Sequence, residues 1–101
     1  MPAYFLEQLD ATRQTGENAR AGRILRLEAR AQYDVQMSGC AASYGMEITV
    51  KYHFEDLLRT VLTDEPHGTV LGTACIDIDT PQAEKQASER ALEAVRTAIR
   101  P

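Results

Sequence analysis

The chain contains no tryptophan, only two cysteines and six aromatic residues, and it has no long hydrophobic run. A membrane-spanning helix needs about 20 consecutive apolar residues, so we expect no membrane span. The first residues lack the basic start and apolar core of a signal peptide, and we therefore expect a cytoplasmic protein. Because the cytoplasm is reducing and no Cys-x-x-Cys pair is present, Cys40 and Cys75 are expected to be free thiols.

Basic residues are scarce in the middle of the chain. The net charge is -4, but residues 31–80 hold two basic and eight acidic residues, a net charge of -6 for that segment. Proteins that bind nucleic acid gain most of their affinity from Lys and Arg side chains that neutralise phosphates. We therefore do not expect nucleic-acid binding. The acidic middle indicates either ordinary solubilising charge or a surface that attracts a basic partner.

The length limits the number of domains. At 101 residues, of which 44% are hydrophobic, the chain can form a single domain over residues 1–101. No second domain is available to hold a cofactor, and no glycine-rich loop of the kind that cradles phosphates is present. We therefore expect no cofactor.

Two stretches alternate apolar and polar residues with a period of two, which is typical of strands with one buried face. Apolar residues occupy odd positions from Leu25 to Met37 and even positions from Tyr44 to Phe54. The small residues 38–43 between them are expected to reverse the chain as a hairpin loop. Both apolar rows reach one core only if odd positions of the first strand pair with even positions of the second.

The segments around this hairpin are less regular. Helical spacing of apolar residues predicts a first helix from Ala3 to about Gln14, followed by a flexible connection over residues 14–23. Residues 55–62 fit either a short amphipathic helix or a strand that enters a hairpin, and we favour the helix.

A third strand and a last helix complete the pattern. The strand is expected from Thr69 to Ile78, and the helix from Thr80 to about Ile99, because threonine followed by proline is a typical helix start. Gly72 and Ala74 are small, which would let this helix approach the third strand closely. The expected fold is α+β, with a three-stranded antiparallel sheet, a long first hairpin and two helices packed on one face.

This order resembles the α-β-β-β-α fold of the double-stranded RNA-binding domain. The resemblance covers roughly residues 31–99, with a long insertion after the second strand. It is carried by Gln32–Val35 as first strand and by Gly72–Ala74, which lead to the helical residues Thr80–Leu92.

The resemblance implies the fold without the RNA-binding residues of the family. In that family a basic cluster at the start of the last helix grips phosphates, and the matching positions here are Pro81, Gln82 and Lys85. Only Lys85 is basic. The family also carries a histidine in a strand-connecting loop, whereas residues 38–43 contain none.

Potential catalytic groups do not form a recognisable set. Asp77 and Asp79 could hold a metal ion together with Glu47 or Asp34, and His53 shares their polar side, but carboxylates are common where strands end. We expect no metal site.

The other reactive or aromatic residues have simpler interpretations. Cys40 has no neighbouring histidine that would activate it as a nucleophile. Tyr33, Tyr44 and Tyr52 fall in the apolar rows, so they are expected to pack in the core rather than to stack on bases. We therefore do not expect an enzyme.

The remaining expectation is a non-enzymatic, acidic protein-interaction module that binds a protein with a basic surface. It would suit a small inhibitor that blocks a nucleic-acid-binding surface on a larger complex, as phage anti-defence proteins do. The alternatives are a degenerate double-stranded RNA-binding domain or a structural protein that forms homodimers or larger homo-oligomers. The candidate partner-binding residues are Asp34, Glu47, Thr49, Leu71, Thr73, Asp77 and Asp79.

Overall fold

A computed structural model describes residues 1–41, 43–76 and 80–100. Its elements are α1 (Ala3–Ala19), β1 (Ile24–Gln36), β2 (Tyr44–Glu55), β3 (Gly68–Cys75) and α2 (Thr80–Ile99). The strands form one antiparallel sheet in the order β1-β2-β3. The predicted α+β fold with a long first hairpin is confirmed, and its α-β-β-β-α order is compatible with that of the double-stranded RNA-binding domain. No helix within the described ranges is long and apolar enough to cross a membrane.

The core lies between one face of the sheet and the two helices. α2 contacts β3 and β2, whereas α1 contacts β1 and α2. Phe5 and Leu9 of α1 belong to the same buried cluster as the even-numbered apolar row of β2 and an alanine-rich stripe of α2. The buried α2 residues are Ala83, Ala87, Ser88, Ala91, Leu92, Val95 and Ile99.

The small residues of β3 set the distance between the sheet and α2, as predicted. A Cβ atom at Gly72 would overlap the carbonyl oxygen of Ala87 and would lie 2.5 Å from the nitrogen of Ala91. Ala74, two residues further along β3, is also fully buried. The helix backbone therefore rests almost directly on the strand backbone, which larger side chains at these positions would prevent.

The predicted pairing of odd with even positions holds from Ile24 to Gln32. A bulge then shifts the register before Val35, and Asp34 within it has a φ of 55°. Because an extra residue reverses the inward and outward alternation, the second part of β1 no longer follows the predicted rule. The expectation of core tyrosines is wrong for Tyr33 and Tyr44, which are 47% and 49% exposed.

The first helix extends beyond its predicted end and continues through Ala19. Arg13 links Asp10 and Glu17 through ion pairs of 2.8 Å on the helix surface, which favours the additional turns. Gly16 fits within the helix because the Leu25 side chain occupies the space that a Cβ atom would need. Of the connection expected over residues 14–23, only residues 20–23 lie outside the helix.

Residues 55–62 form a tight turn rather than the helix that we favoured. Glu55 bridges Val61, and the Asp56 carboxylate accepts hydrogen bonds from the N–H groups of Leu58 and Thr60 at 2.9 and 3.0 Å. An aspartate at the start of a turn competes with helix formation in this way. Leu57 and Leu58 consequently point outward, with 79% and 87% of their surface exposed.

Cys40 and Cys75 form a disulfide, so the expectation of free thiols is wrong. Their Cα atoms lie 5.5 Å apart although 35 positions separate them in sequence. The hairpin loop folds back over the end of β2, where Gly45 provides room for Met37, and thereby brings Cys40 to the end of β3. The sequence does not show that the hairpin loop brings these two thiols together, because 35 positions separate them along the chain.

We expect that replacing both Cys40 and Cys75 with alanine lowers the free energy of unfolding by about 3 to 4 kcal/mol, since the disulfide limits the conformations of the unfolded chain. Urea unfolding monitored by circular dichroism measures this loss. Dithiothreitol should lower the stability of the wild-type chain to a similar extent and leave the double variant unchanged. Equal stability of the reduced and oxidised wild-type chain would contradict this expectation.

Candidate binding surface

The face of the sheet opposite the helices, called the open face below, is formed by the side chains that alternate with the buried rows. β1 contributes Ile24, Arg26, Glu28, Arg30 and Gln32, β2 contributes Glu47, Thr49, Lys51, His53 and Glu55, and β3 contributes Thr69, Leu71 and Thr73. Its strands are held in position by the core beneath them. The open face is therefore a preformed surface.

Four of the predicted partner-binding residues lie together on this face. Glu47 pairs with Thr73, and Thr49 pairs with Leu71. Directly opposite residues in antiparallel strands have Cβ atoms about 4.5 to 5.5 Å apart and share one face of the sheet. Leu71 is an apolar side chain that is 53% exposed. Its neighbours on this face, Thr49, Thr69 and Thr73, are polar.

The first strand extends this group by one row. Arg30 pairs with Thr49 on the side opposite Leu71, and Gln32 pairs with Glu47 on the side opposite Thr73. A shallow depression of about 430 Å³ lies here between β1 and β2. Charged and polar residues of both strands, among them Glu28, Arg30 and Lys51, border it.

The other predicted residues do not belong to this group. Asp34 is exposed and lies in the bulge of β1, beyond the last regular pair of the open face. Asp77 and Asp79 lie outside the described residues. The structure therefore brings together Glu47, Thr49, Leu71 and Thr73 from the predicted set.

The described part of the open face carries as many basic as acidic side chains. The basic residues are Arg26, Arg30 and Lys51, and the acidic residues are Glu28, Glu47 and Glu55. The charges alternate in sign along β1, with Glu28 between two arginines. The net negative charge of residues 31–80 is thus spread beyond this face, and some of it has structural roles.

Glu65 shows such a structural role. Arg20 and Arg23 donate hydrogen bonds to its two carboxylate oxygens at 2.9 and 3.2 Å, which ties the connection before β3 to the end of α1. Arg20 also lies over the ring of Phe54, 4.9 Å from its centroid. This acidic residue therefore stabilises the fold and is not available to a partner.

At one end of the open face, Glu55 is held between His53 and Arg26. His53 Nε2 lies 3.0 Å from one carboxylate oxygen, and Arg26 Nε donates to the other at 3.1 Å. The hydrogen bonds from His53 and then from Arg26 lower the pKa of Glu55 below its ordinary value, because they favour the charged carboxylate. Across the described segments, no three His, Cys, Asp or Glu side chains are grouped closely enough to hold a metal ion.

Glu28 and Arg30 of β1 belong to this surface, although the predicted partner-binding residues include no basic side chain and none from the regular part of β1. The apolar turn formed by Leu57 and Leu58 was also not predicted. Asp56 before the two leucines and Arg59 after them, the latter with a φ of 63°, form a turn sequence that could have indicated it.

We expect that the Glu55→Gln variant loses more stability at pH 7 than at pH 3. The folded-state pKa of Glu55 lies below that of the unfolded chain, about 4.3. The ionised Glu55 carboxylate therefore contributes to stability above that pH, and this contribution is lost as the pH falls through the folded-state pKa. Urea unfolding of both proteins at the two pH values measures the difference. For the exposed control Thr63→Ala, the difference in unfolding free energy from the wild-type chain should be the same at both pH values. The same pH-independent difference for Glu55→Gln would contradict the expectation.

Comparison with models of protein families, with curated proteins and with solved structures finds no significant match. The candidate surface is therefore defined by the residues of this chain, and the likeness to the double-stranded RNA-binding domain is one of element order.

Proposed function

We propose that this chain is a non-enzymatic protein-interaction module that binds its partner through the open face of the sheet. The observation that carries the proposal is the position of Leu71, half-exposed among Thr49, Thr69 and Thr73. Leu71 would give the interface an apolar core within a polar rim, the arrangement that protein interfaces have.

The rigidity of the sheet supports this proposal. The helices pack on the other face, and the disulfide holds the hairpin loop to the end of β3. A surface that is ordered before binding loses little conformational entropy when it meets its partner. The open face can therefore bind without a large rearrangement of the chain.

The charges of the open face determine which partner surface fits. In its finer form, the proposal is an inhibitor that covers a basic nucleic-acid-binding surface, as phage anti-defence proteins do. This form depends on Glu47 in the last regular pair of the central strand and on Asp34 in the bulge beyond it, together with Asp77 and Asp79 outside the described ranges. The arginines of β1 reduce the acidic character, so the basic-partner form needs its own test.

Double-stranded RNA binding is a second candidate, favoured by the order of the elements alone. Lys85 is exposed in the first part of α2, and the neighbouring Glu84 accepts a hydrogen bond from the Tyr33 hydroxyl at 3.0 Å. A carboxylate at this position opposes phosphate binding. The protein-interaction proposal therefore predicts no shift of duplex RNA in a gel at low salt.

We expect that Leu71→Glu weakens partner binding at least about tenfold, because it places a charge where the proposed interface has its apolar contact. The partner is first captured from native cells with the wild-type chain, and its affinity for each variant is then measured by calorimetry. Leu58→Glu is a matched control, since Leu58 is a more exposed leucine outside the open face. Retention of affinity in Leu71→Glu, or its loss in the control alone, would contradict the proposal.

The proposal that the partner has a basic surface is tested separately in the same calorimetric assay. Reversal of Asp34 and Glu47 to lysine should weaken binding and reduce its dependence on salt, because attraction between opposite charges is screened by ions. Unchanged affinity and salt dependence would exclude a basic partner, while the Leu71 result would still decide whether the open face binds.

A further inference from the structure

The outer edge of β1 can be assigned from two hydrogen bonds. Leu25 donates its N–H to Glu17 Oε1 at 3.1 Å. Phe54, the residue opposite Leu25 in β2, accepts a hydrogen bond from Leu62, which lies on the β3 side. The backbone groups of Leu25 therefore point away from β2.

The same assignment extends along the strand. In an antiparallel ladder, the N–H and C=O of one residue point to the same side, and successive residues alternate. Because the register is unbroken from Ile24 to Gln32, the backbone groups of Leu27, Ala29 and Ala31 also point outward. Within the described part of the chain, no strand pairs with this edge.

The other edge of the sheet is partly occupied. Arg90 of α2 reaches over the edge of β3 and donates a hydrogen bond to the Thr73 carbonyl at 2.6 Å. On the β1 edge, Glu17 likewise occupies one outward group, the N–H of Leu25. Three further outward residues, Leu27, Ala29 and Ala31, remain on β1, against two, Thr69 and Leu71, on β3. The edge of β1 therefore offers the longer row of backbone groups to a further strand.

The side chains beside this edge are complementary to a second copy of the same strand. Glu28 and Arg30 are exposed on the open face, one on each side of Ala29. If two β1 strands pair antiparallel with Ala29 facing Ala29, Glu28 of each chain lies directly opposite Arg30 of the other. Glu28 and Arg30 then form a pair without backbone hydrogen bonds between them, the type in which side chains are closest.

Neighbouring registers fit less well. A register centred on Leu27 would need the N–H of Leu25, which already donates a hydrogen bond to Glu17. A register centred on Ala31 would run into the bulge after Gln32. The centre at Ala29 avoids both obstacles and uses the outward backbone groups between them.

We propose that β1 binds β1 of a second copy of this chain, with Ala29 facing Ala29, to form a continuous six-stranded antiparallel sheet. Leu27, Ala29 and Ala31 are only partly buried in the single chain. The pairing places Leu27 opposite Ala31 of the second copy, which covers this apolar row. The two open faces lie on the same side of the joined sheet.

Proline substitution tests the edge without disturbing the sheet inside each chain. Ala29→Pro removes an N–H that points outward, a position where proline is tolerated in an edge strand. Thr69→Pro is the matched control. Backbone groups alternate along β3, so the N–H of Thr69 points to the same outer edge as the Thr73 carbonyl that Arg90 contacts. Sedimentation equilibrium should show the wild-type chain and Thr69→Pro rising from 11.2 kDa toward twice that mass with concentration. Ala29→Pro should remain at the lower mass.

Charge exchange tests the register and does not depend on how proline is accommodated. Glu28→Arg and Arg30→Glu should each weaken dimerisation about tenfold, since each converts two attractive pairs into repulsive ones. The double variant should restore the wild-type constant, because arginine then faces glutamate again.

Three results would overturn the proposal. The first is a wild-type mass that stays at 11.2 kDa up to millimolar concentration. The second is a dimer that Thr69→Pro disrupts and Ala29→Pro does not, which would assign the contact to β3. The third is a double charge variant as weak as either single variant. None of these outcomes depends on Leu71, so the proposed function is tested separately.

Discussion

The close contact between α2 and β3 determines which parts of the sheet remain free. Gly72 allows the backbone of the helix at Ala87 and Ala91 to rest on the strand, and Ala74 continues the contact. Because α2 lies so close to β3, it also reaches β2, while β1 is left to contact α1. Arg90 of α2 then partly occupies the edge of β3, and the open face and the edge of β1 are available for binding.

The disulfide and the bulge limit the open face at the end of the sheet that lies next to the hairpin loop. The loop after β1 crosses the end of β2 at Gly45 to reach Cys75. Asp34 lies in the bulge that precedes this loop and has a positive φ. The regular part of the open face therefore extends from the ion pairs of Glu55 to the pair of Glu47 and Thr73, with Leu71 between them.

Features with a local pattern could be predicted from the sequence, and features that depend on distant contacts could not. The alternation in β1 and β2 predicted the pairing up to Gln32, and the small residues of β3 predicted the close approach of α2. The bulge and the disulfide depend on where the loop lies in three dimensions, which the period of two does not encode. At residues 55–62, the hydrogen bonds of the Asp56 side chain form a turn in place of the helix that the apolar spacing favoured.

Residue-resolved amide hydrogen exchange along β1, measured by NMR at increasing protein concentration, tests most directly whether this edge is free in one chain and used in the dimer. The N–H groups of Arg26, Glu28 and Arg30 point to β2 and should be protected at every concentration. Those of Leu27, Ala29 and Ala31 should exchange rapidly in dilute solution and become protected as the dimer forms. Equal protection of both sets in dilute solution, or rapid exchange of the second set at all concentrations, would contradict the account.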